Sequence, residues 1–154
     1  MNLIELPDGD LFTSGAEALV NPVNTVGVSG KGLALEFKKR FPKAVEKYEA
    51  VCKLKAFDVG NVLVCTEEGE SPKYVIHFPT KDHWKRPSRT LYIDSGLLAL
   101  WRAIDHHKIR SIAIPALGCG LGGLKWENVR FLIVEYLKGV DGLTVYLYPP
   151  KEQS

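Results

Sequence analysis

Two short stretches concentrate the residue types that can grip an anion. Gly27, Gly30 and Gly32 lie in NTVGVSGKG, and Gly118, Gly120, Gly122 and Gly123 lie in GCGLGG. Each stretch follows an apolar run and precedes a segment of helical pattern. Glycine admits positive φ and close backbone approach, and successive N–H groups beside a helix N-terminus form an anion site. Two such loops at equivalent strand ends can hold a diphosphate from both sides; the alternative is a pair of ordinary tight turns. Gly118, Gly120 and Gly123 match GxGxxG, but only one strand follows, and LTVYLYPP carries no acid where a dinucleotide fingerprint requires one. The Walker pattern fails as well. Gly30-Lys31 is followed by Gly32 rather than Ser or Thr, and Thr25 stands where the first glycine should be. Phosphate binding survives these tests; neither motif identity does.

A second chemistry sits in KDHWKRPSR, residues 81–89, where Lys81, Lys85, Arg86 and Arg89 face one acid, Asp82, with His83 and Trp84 interleaved. Cations plus an aromatic suit single-stranded nucleic acid, with base stacking worth about 1–3 kcal/mol per base. The alternative is a solvated loop with Trp84 turned into the core. Cys119, in the second glycine loop, has the setting of a nucleophile beside a helix start, but no histidine is placed next to it, and a small buried filler fits equally. His106 and His107, near a helix end, suit the dipole as surface residues. The four histidines form no HExxH, and Cys52, Cys65 and Cys119 form no CxxC and no disulfide framework. No metal and no cofactor is expected, and a reducing, cytoplasmic setting is.

The elements that must position these groups alternate. Strands are expected at 2–6, 17–23, 61–66, 74–79, 110–117 and 143–148. Helices are expected from Leu33 to the residue before Pro42, from Pro42 through PKAVEKYEAVCK, and over 90–108 and 125–139. TKDHWKRPSR reads as a polar loop. Such alternation predicts an α/β fold, helices on both faces of one sheet. Early strands that follow one another without a helix predict a mixed sheet rather than a parallel one.

The chain has 154 residues, so one domain over 1–154 is expected, large enough for a core without staples. No run approaches a membrane span, and MNLIELPDGD lacks the basic and apolar regions of a signal peptide. The net charge of +2 is uninformative about nucleic acid; any basic site must be local. A monomer is the simplest state.

Four segments in order carry a family likeness. Gly9-Asp10-Leu11, Val20-Asn21-Pro22-Val23-Asn24, Gly30-Lys31-Gly32-Leu33-Ala34 and Pro115-Ala116-Leu117-Gly118-Cys119-Gly120 resemble the macrodomain family, which binds ADP-ribose. Asn24-Thr25-Val26-Gly27 and Gly118-Cys119-Gly120-Leu121-Gly122-Gly123-Leu124-Lys125-Trp126 look like the branch containing terminal ADP-ribose glycohydrolases. Within it the chain is most similar to the macrodomains of DarG-type antitoxins, which oppose a toxin that ADP-ribosylates thymine bases in single-stranded DNA.

The resemblance implies a three-layer α/β/α fold with a central mixed sheet, and it implies roles. Asp10 anchors the adenine amine and Leu11 offers a backbone N–H, although Asp10 also suits the cap of a short turn. Asn24 suits a ribose, or a turn. Asn21 belongs to the same strand end and more naturally ties it to neighbouring loops. Gly30, Lys31 and Gly32 with Ala116, Leu117, Gly118, Cys119, Gly120, Leu121 and Gly122 form the ligand loops. Tyr148 or Pro149 covers the adenine or packs in the core. In HFPTKDHW, Lys81 is the lysine this branch uses catalytically. It either attacks C1 of the distal ribose as a neutral amine, helped by burial or by Lys85 and Arg86, or stays charged and positions substrate. One departure matters: the human-type member has an acid where this chain has Gly122, so Lys81 acts largely alone. The implied function is removal of ADP-ribose from thymidine in single-stranded DNA, with Trp84, Lys85, Arg86 and Arg89 as DNA contacts. A toxin partner would bind through a region outside this chain. The alternatives are a non-catalytic ADP-ribose reader and a hydrolase of glutamate-linked or O-acyl ADP-ribose.

Overall fold

The computed structural model describes residues 1–151; residues 152–154 of the expected domain lie outside them. Six strands form one sheet: β1 (Asn2–Glu5), β2 (Ala18–Asn24), β3 (Leu63–Thr66), β4 (Tyr74–Lys81), β5 (Ser111–Ile114) and β6 (Thr144–Leu147). The spatial order is β1-β6-β5-β2-β4-β3, and every neighbouring pair is parallel except β3 with β4. The sheet is therefore mixed, as its sequence order predicts.

Period-two alternation along β2 sorts side chains to two cores. Ala18 and Val20 point to the face covered by α3 (Thr90–His107) and α4 (Trp126–Leu137), with Ile93, Leu97, Leu100 and Ile133. Leu19 and Val23 point to the face covered by α1 (Gly32–Arg40) and α2 (Pro42–Lys53), with Phe37, Val45 and Tyr48. Helices on both faces give the three-layer α/β/α arrangement. Among the described residues, no helix is long and apolar enough to cross a membrane.

Two boundaries differ from the sequence reading in ways that matter to the site. The fifth strand ends at Ile114 rather than 117, because Pro115 has no N–H to continue the ladder. The fourth runs past 79 through Thr80 and Lys81, so Lys81 is the last residue of a strand rather than part of a loop. Its carbonyl accepts from the Thr25 N–H at 3.2 Å. A register shift between Val23 and Asn24 sets Asn24 opposite Lys81. Two short 3-10 turns, Leu11–Thr13 and Gly120–Gly122, carry no periodic signal and are absent from the sequence reading.

Candidate active site

The carboxyl ends of β2, β4, β5 and β6 open into one cleft, where ligands of open α/β sheets gather. Its volume is about 880 Å³. Asn24 and Lys81 form part of its lining together, from the two strands that pair at that point.

Asn24 shapes the first glycine loop. Its Oδ1 accepts from the N–H groups of Val26 (3.0 Å), Gly27 (3.0 Å) and Val28 (3.3 Å), while its Nδ2 donates to the Val28 carbonyl at 2.9 Å. Tyr48, fully buried, donates its hydroxyl to the Asn24 carbonyl at 2.7 Å and reaches Oδ1 at 3.0 Å. Burial, and after it the neighbouring Cys52, push the Tyr48 hydroxyl well above the ordinary tyrosine range, so it stays a donor. Three amides of this loop thus turn inward, and anion donors must come from further on. There α1 begins: Leu35 N–H is the first to bond back, to the Lys31 carbonyl at 3.3 Å, and no side chain caps the N-terminus. The first-turn amides before Leu35 are free to face a ligand.

The second loop is shaped by close packing. Gly118 has φ +73°, and a Cβ there would stand 2.7 Å from Leu124 Cδ1. A Cβ on Gly122 would stand 2.5 Å from Ser88 Oγ. Only residues without a side chain let this loop close, Leu124 N–H donating to the Gly118 carbonyl and Ser88 N–H to the Gly122 carbonyl, both at 3.0 Å. In the 3-10 turn the first internal bond is Gly123 N–H to the Gly120 carbonyl, which leaves the amides of Gly120, Leu121 and Gly122 outside the turn's own bonding.

Residues 20–133 match the profile of the family described as Macro domain, most of the chain. The chain belongs to the macrodomain family. A Mycobacterium tuberculosis protein named DNA ADP-ribosyl glycohydrolase is 44% identical over 153 residues, covering 99% of this chain and 44% of the relative. The macrodomain therefore spans less than half the length of this and other curated relatives of that name. Its backbone is similar to the macrodomain of Mycobacterium tuberculosis DarG, with TM-score 0.94 at 43% identity, covering 98% of this chain and all of that one. It is also similar to Thermosipho africanus DarTG in complex with ADP-ribose, with TM-score 0.89 at 35% identity, over 99% of this chain and 43% of that one.

Most residues that the sequence singled out converge on the cleft of this macrodomain. Asp10, Leu11, Asn24, Gly30, Lys31, Lys81, Ala116, Gly118, Cys119, Leu121 and Gly122 line it, as do Trp84, Tyr148 and Pro149. Asp10 combines both of its readings: its Oδ1 caps the Leu11–Thr13 turn through Phe12 N–H at 2.9 Å, while the exposed carboxylate faces the cleft. Tyr148 combines both of its own, being 7% exposed in the core cluster yet part of the lining.

Four residues of the expected ligand set stand elsewhere. Asn21 is fully buried, its Nδ2 3.2 Å from His77 Nδ1, because strand alternation puts it on the face of Leu19 and Val23, under α2. Leu117 is a core residue with no exposed surface. Gly32 and Gly120 are exposed but outside the lining. The cation field expected beside Lys81 also differs. Arg86 pairs with Asp82 at 3.1 Å, and Lys85 Nζ lies 4.9 Å from the Trp84 ring centre. Lys85, Arg86 and Arg89 are exposed outside the lining. Trp84, 48% exposed at the cleft edge, stacks on His83 at 5.4 Å rather than entering the core. Burial pushes the Cys119 thiol up, which works against the thiolate a nucleophile would need.

Sequence reasoning missed Thr80 and Ser88, both 6% exposed in the lining. Neither sits in a glycine loop, and no spacing in PTK or RPSR marks them. The described residues contain no cluster of three or more His, Cys, Asp or Glu side chains able to hold a metal.

Proposed function

We propose that this macrodomain binds ADP-ribose and hydrolyses it from ADP-ribosylated thymidine in single-stranded DNA. The observation that carries the reading is the pairing of Asn24 with Lys81 at the cleft, between two loops with unengaged amides. Relatives named DNA ADP-ribosyl glycohydrolase, 44% identical across nearly the whole chain, support the same assignment.

The adenine takes the end near Asp10, Leu11 and Tyr148. The diphosphate lies between the α1 start and the Gly120–Gly122 turn, where aligned N–H groups stabilise negative charge without bulk. The distal ribose reaches Lys81. Cleavage breaks the bond from ribose C1 to the base nitrogen; the electron pair leaves with the base, which takes a proton. Lys81 forms a C–N bond to C1 as a neutral amine, and water then displaces it, or Lys81 remains charged and orients the substrate while water attacks. Trp84 at the edge is the stacking surface for a neighbouring base, which must share the ring with His83 and Lys85. The fusion of transferase and glycohydrolase in a Thermosipho africanus relative supports a cognate DNA ADP-ribosyltransferase toxin as partner, bound through a region outside this chain.

A reader without catalysis is favoured by one observation, the lack of an acid at Gly122. Incubation with an ADP-ribosylated thymidine oligonucleotide and with ADP-ribosyl-glutamate protein separates the readings. Release of ADP-ribose from DNA is expected, falling roughly a hundredfold or more in Lys81→Ala. Turnover on protein alone sinks the DNA assignment, and none on either substrate leaves the reader. Undiminished turnover in Lys81→Ala removes Lys81 from the mechanism.

A further inference from the structure

Ser88 is a buried polar side chain on the cleft wall that the mechanism above leaves idle. It lies just before α3, is 6% exposed, and its Oγ has no hydrogen-bond partner among the described residues. Its own N–H, bonded to the Gly122 carbonyl at 3.0 Å, fixes where the hydroxyl sits. A Cβ built on Gly122 would lie 2.5 Å from Ser88 Oγ and 4.0 Å from Lys81 Cε. The hydroxyl and the end of the lysine chain therefore converge on one point, the space a side chain at 122 would fill. The lysine nitrogen is one bond beyond Cε, so Nζ and Oγ border the same small volume. Among the described residues Lys81 enters no ion pair that would hold it elsewhere.

We infer that Ser88 is a positioning residue for Lys81, its Oγ accepting a hydrogen bond from Nζ and aiming the amine at C1 of the distal ribose. The inference rests on the reading of Lys81 given above. A hydroxyl takes one N–H and leaves the remaining positions of the nitrogen directed at substrate, whereas a carboxylate in that place would favour the charged ammonium. The competing account is space filling beneath Gly118 and Gly122. Alanine would serve that purpose as well and would remove a buried oxygen that lacks a partner, an arrangement native structures seldom keep without a use.

Ser88→Ala decides between them. The expected result is a kcat about tenfold lower on the modified oligonucleotide, a change of roughly 1.4 kcal/mol. KM and the Kd for ADP-ribose should stay within about twofold, and the melting temperature should not fall. Ser88→Cys, close in size and a weaker acceptor, should fall between. Wild-type kcat in Ser88→Ala, with Lys81→Ala inactive, overturns the inference and leaves the reading of Lys81 standing. Equal losses of kcat and ADP-ribose affinity mark a collapsed loop and also overturn it. Undiminished turnover in Lys81→Ala overturns the reading of Lys81 itself. A crystal structure of the wild-type complex with ADP-ribose gives a readout independent of turnover. Nζ within about 3.2 Å of Oγ supports the inference; Nζ turned elsewhere, or Oγ bonded to the ligand, refutes it.

Discussion

The two glycine loops reach similar ends by opposite means. The first is tied by a side chain: Asn24 gathers three amides, and Tyr48, stacked on His77 at 5.1 Å, holds Asn24 from behind. The second is tied by the lack of side chains: Gly118 and Gly122 lie where a Cβ would strike Leu124 and Ser88. A loop built on hydrogen bonds should respond to deletion of polar atoms and to pH. A loop built on close approach should respond to added volume and ignore both.

The largest effect is expected from Gly118→Ala. Left-handed strain of about 1–2 kcal/mol and overpacking of about 1–3 kcal/mol act together, so thermal or urea unfolding should report a loss of about 3 kcal/mol. Gly120→Ala sharpens the point, because φ is +70° there but nothing lies within 4 Å of the added Cβ, so only the strain part should appear. Similar losses at 118 and 120 would show that conformation, not packing, governs the second loop.

Next in size is a pH effect that enters through the buried group behind the first loop. His77 is fully buried, Nε2 donating to the Ala44 carbonyl at 3.0 Å and Nδ1 facing Asn21 Nδ2. Burial pushes its pKa down to about 4, from 6.5 in the unfolded chain. Between those values the unfolded state binds more protons, so stability rises with pH across the window, is complete above about 6.5, and is lost as pH falls toward 4. The contribution is on the order of 3 kcal/mol, read as the difference in unfolding free energy between the two ends of the window. His77→Gln should flatten that slope. Amide exchange at Val26–Val28 should quicken with acidification more than at Gly120–Gly122, after correction for intrinsic rates; equal changes would break the comparison.

A smaller loss is expected from Asn24→Ala, about 2 kcal/mol of stability through loop amides left without their shared acceptor. ADP-ribose affinity, measured by calorimetry, should fall about tenfold as the loop loses shape. Affinity unchanged beside a clear stability loss would separate the first loop from the ligand.

Much of this site was legible because its parts are local. Glycine density marked both loops, while Asp10, Asn24 and Lys81 were singled out by resemblance to family motifs, Lys81 inside an expected polar loop rather than at a strand end. Asn21 was placed in the ligand set because it shares VNPVN with Asn24, and its burial against His77 is a contact between paired strands that spacing cannot show. Leu117 lay inside a glycine motif, yet its neighbours are core residues distant in sequence. Trp84 and its cations were legible as a basic run, but composition could not show that Arg86 is paired with Asp82 or that Lys85 lies over the indole. Ser88 was invisible. Its position is set by Gly122, and serine carries no periodicity of its own.

By itself, the sequence determined the order of strands and helices, the mixed sheet, both glycine loops and the macrodomain family. Propensity, apolar period and turn chemistry act over a few residues, so they can be read along the chain. The tertiary structure decided what faces what: Asn24 opposite Lys81 across a register shift, and Ser88 beneath Gly122. Those contacts join segments dozens of residues apart. They depend on which atoms fill which volume, and that is settled only when the layers close.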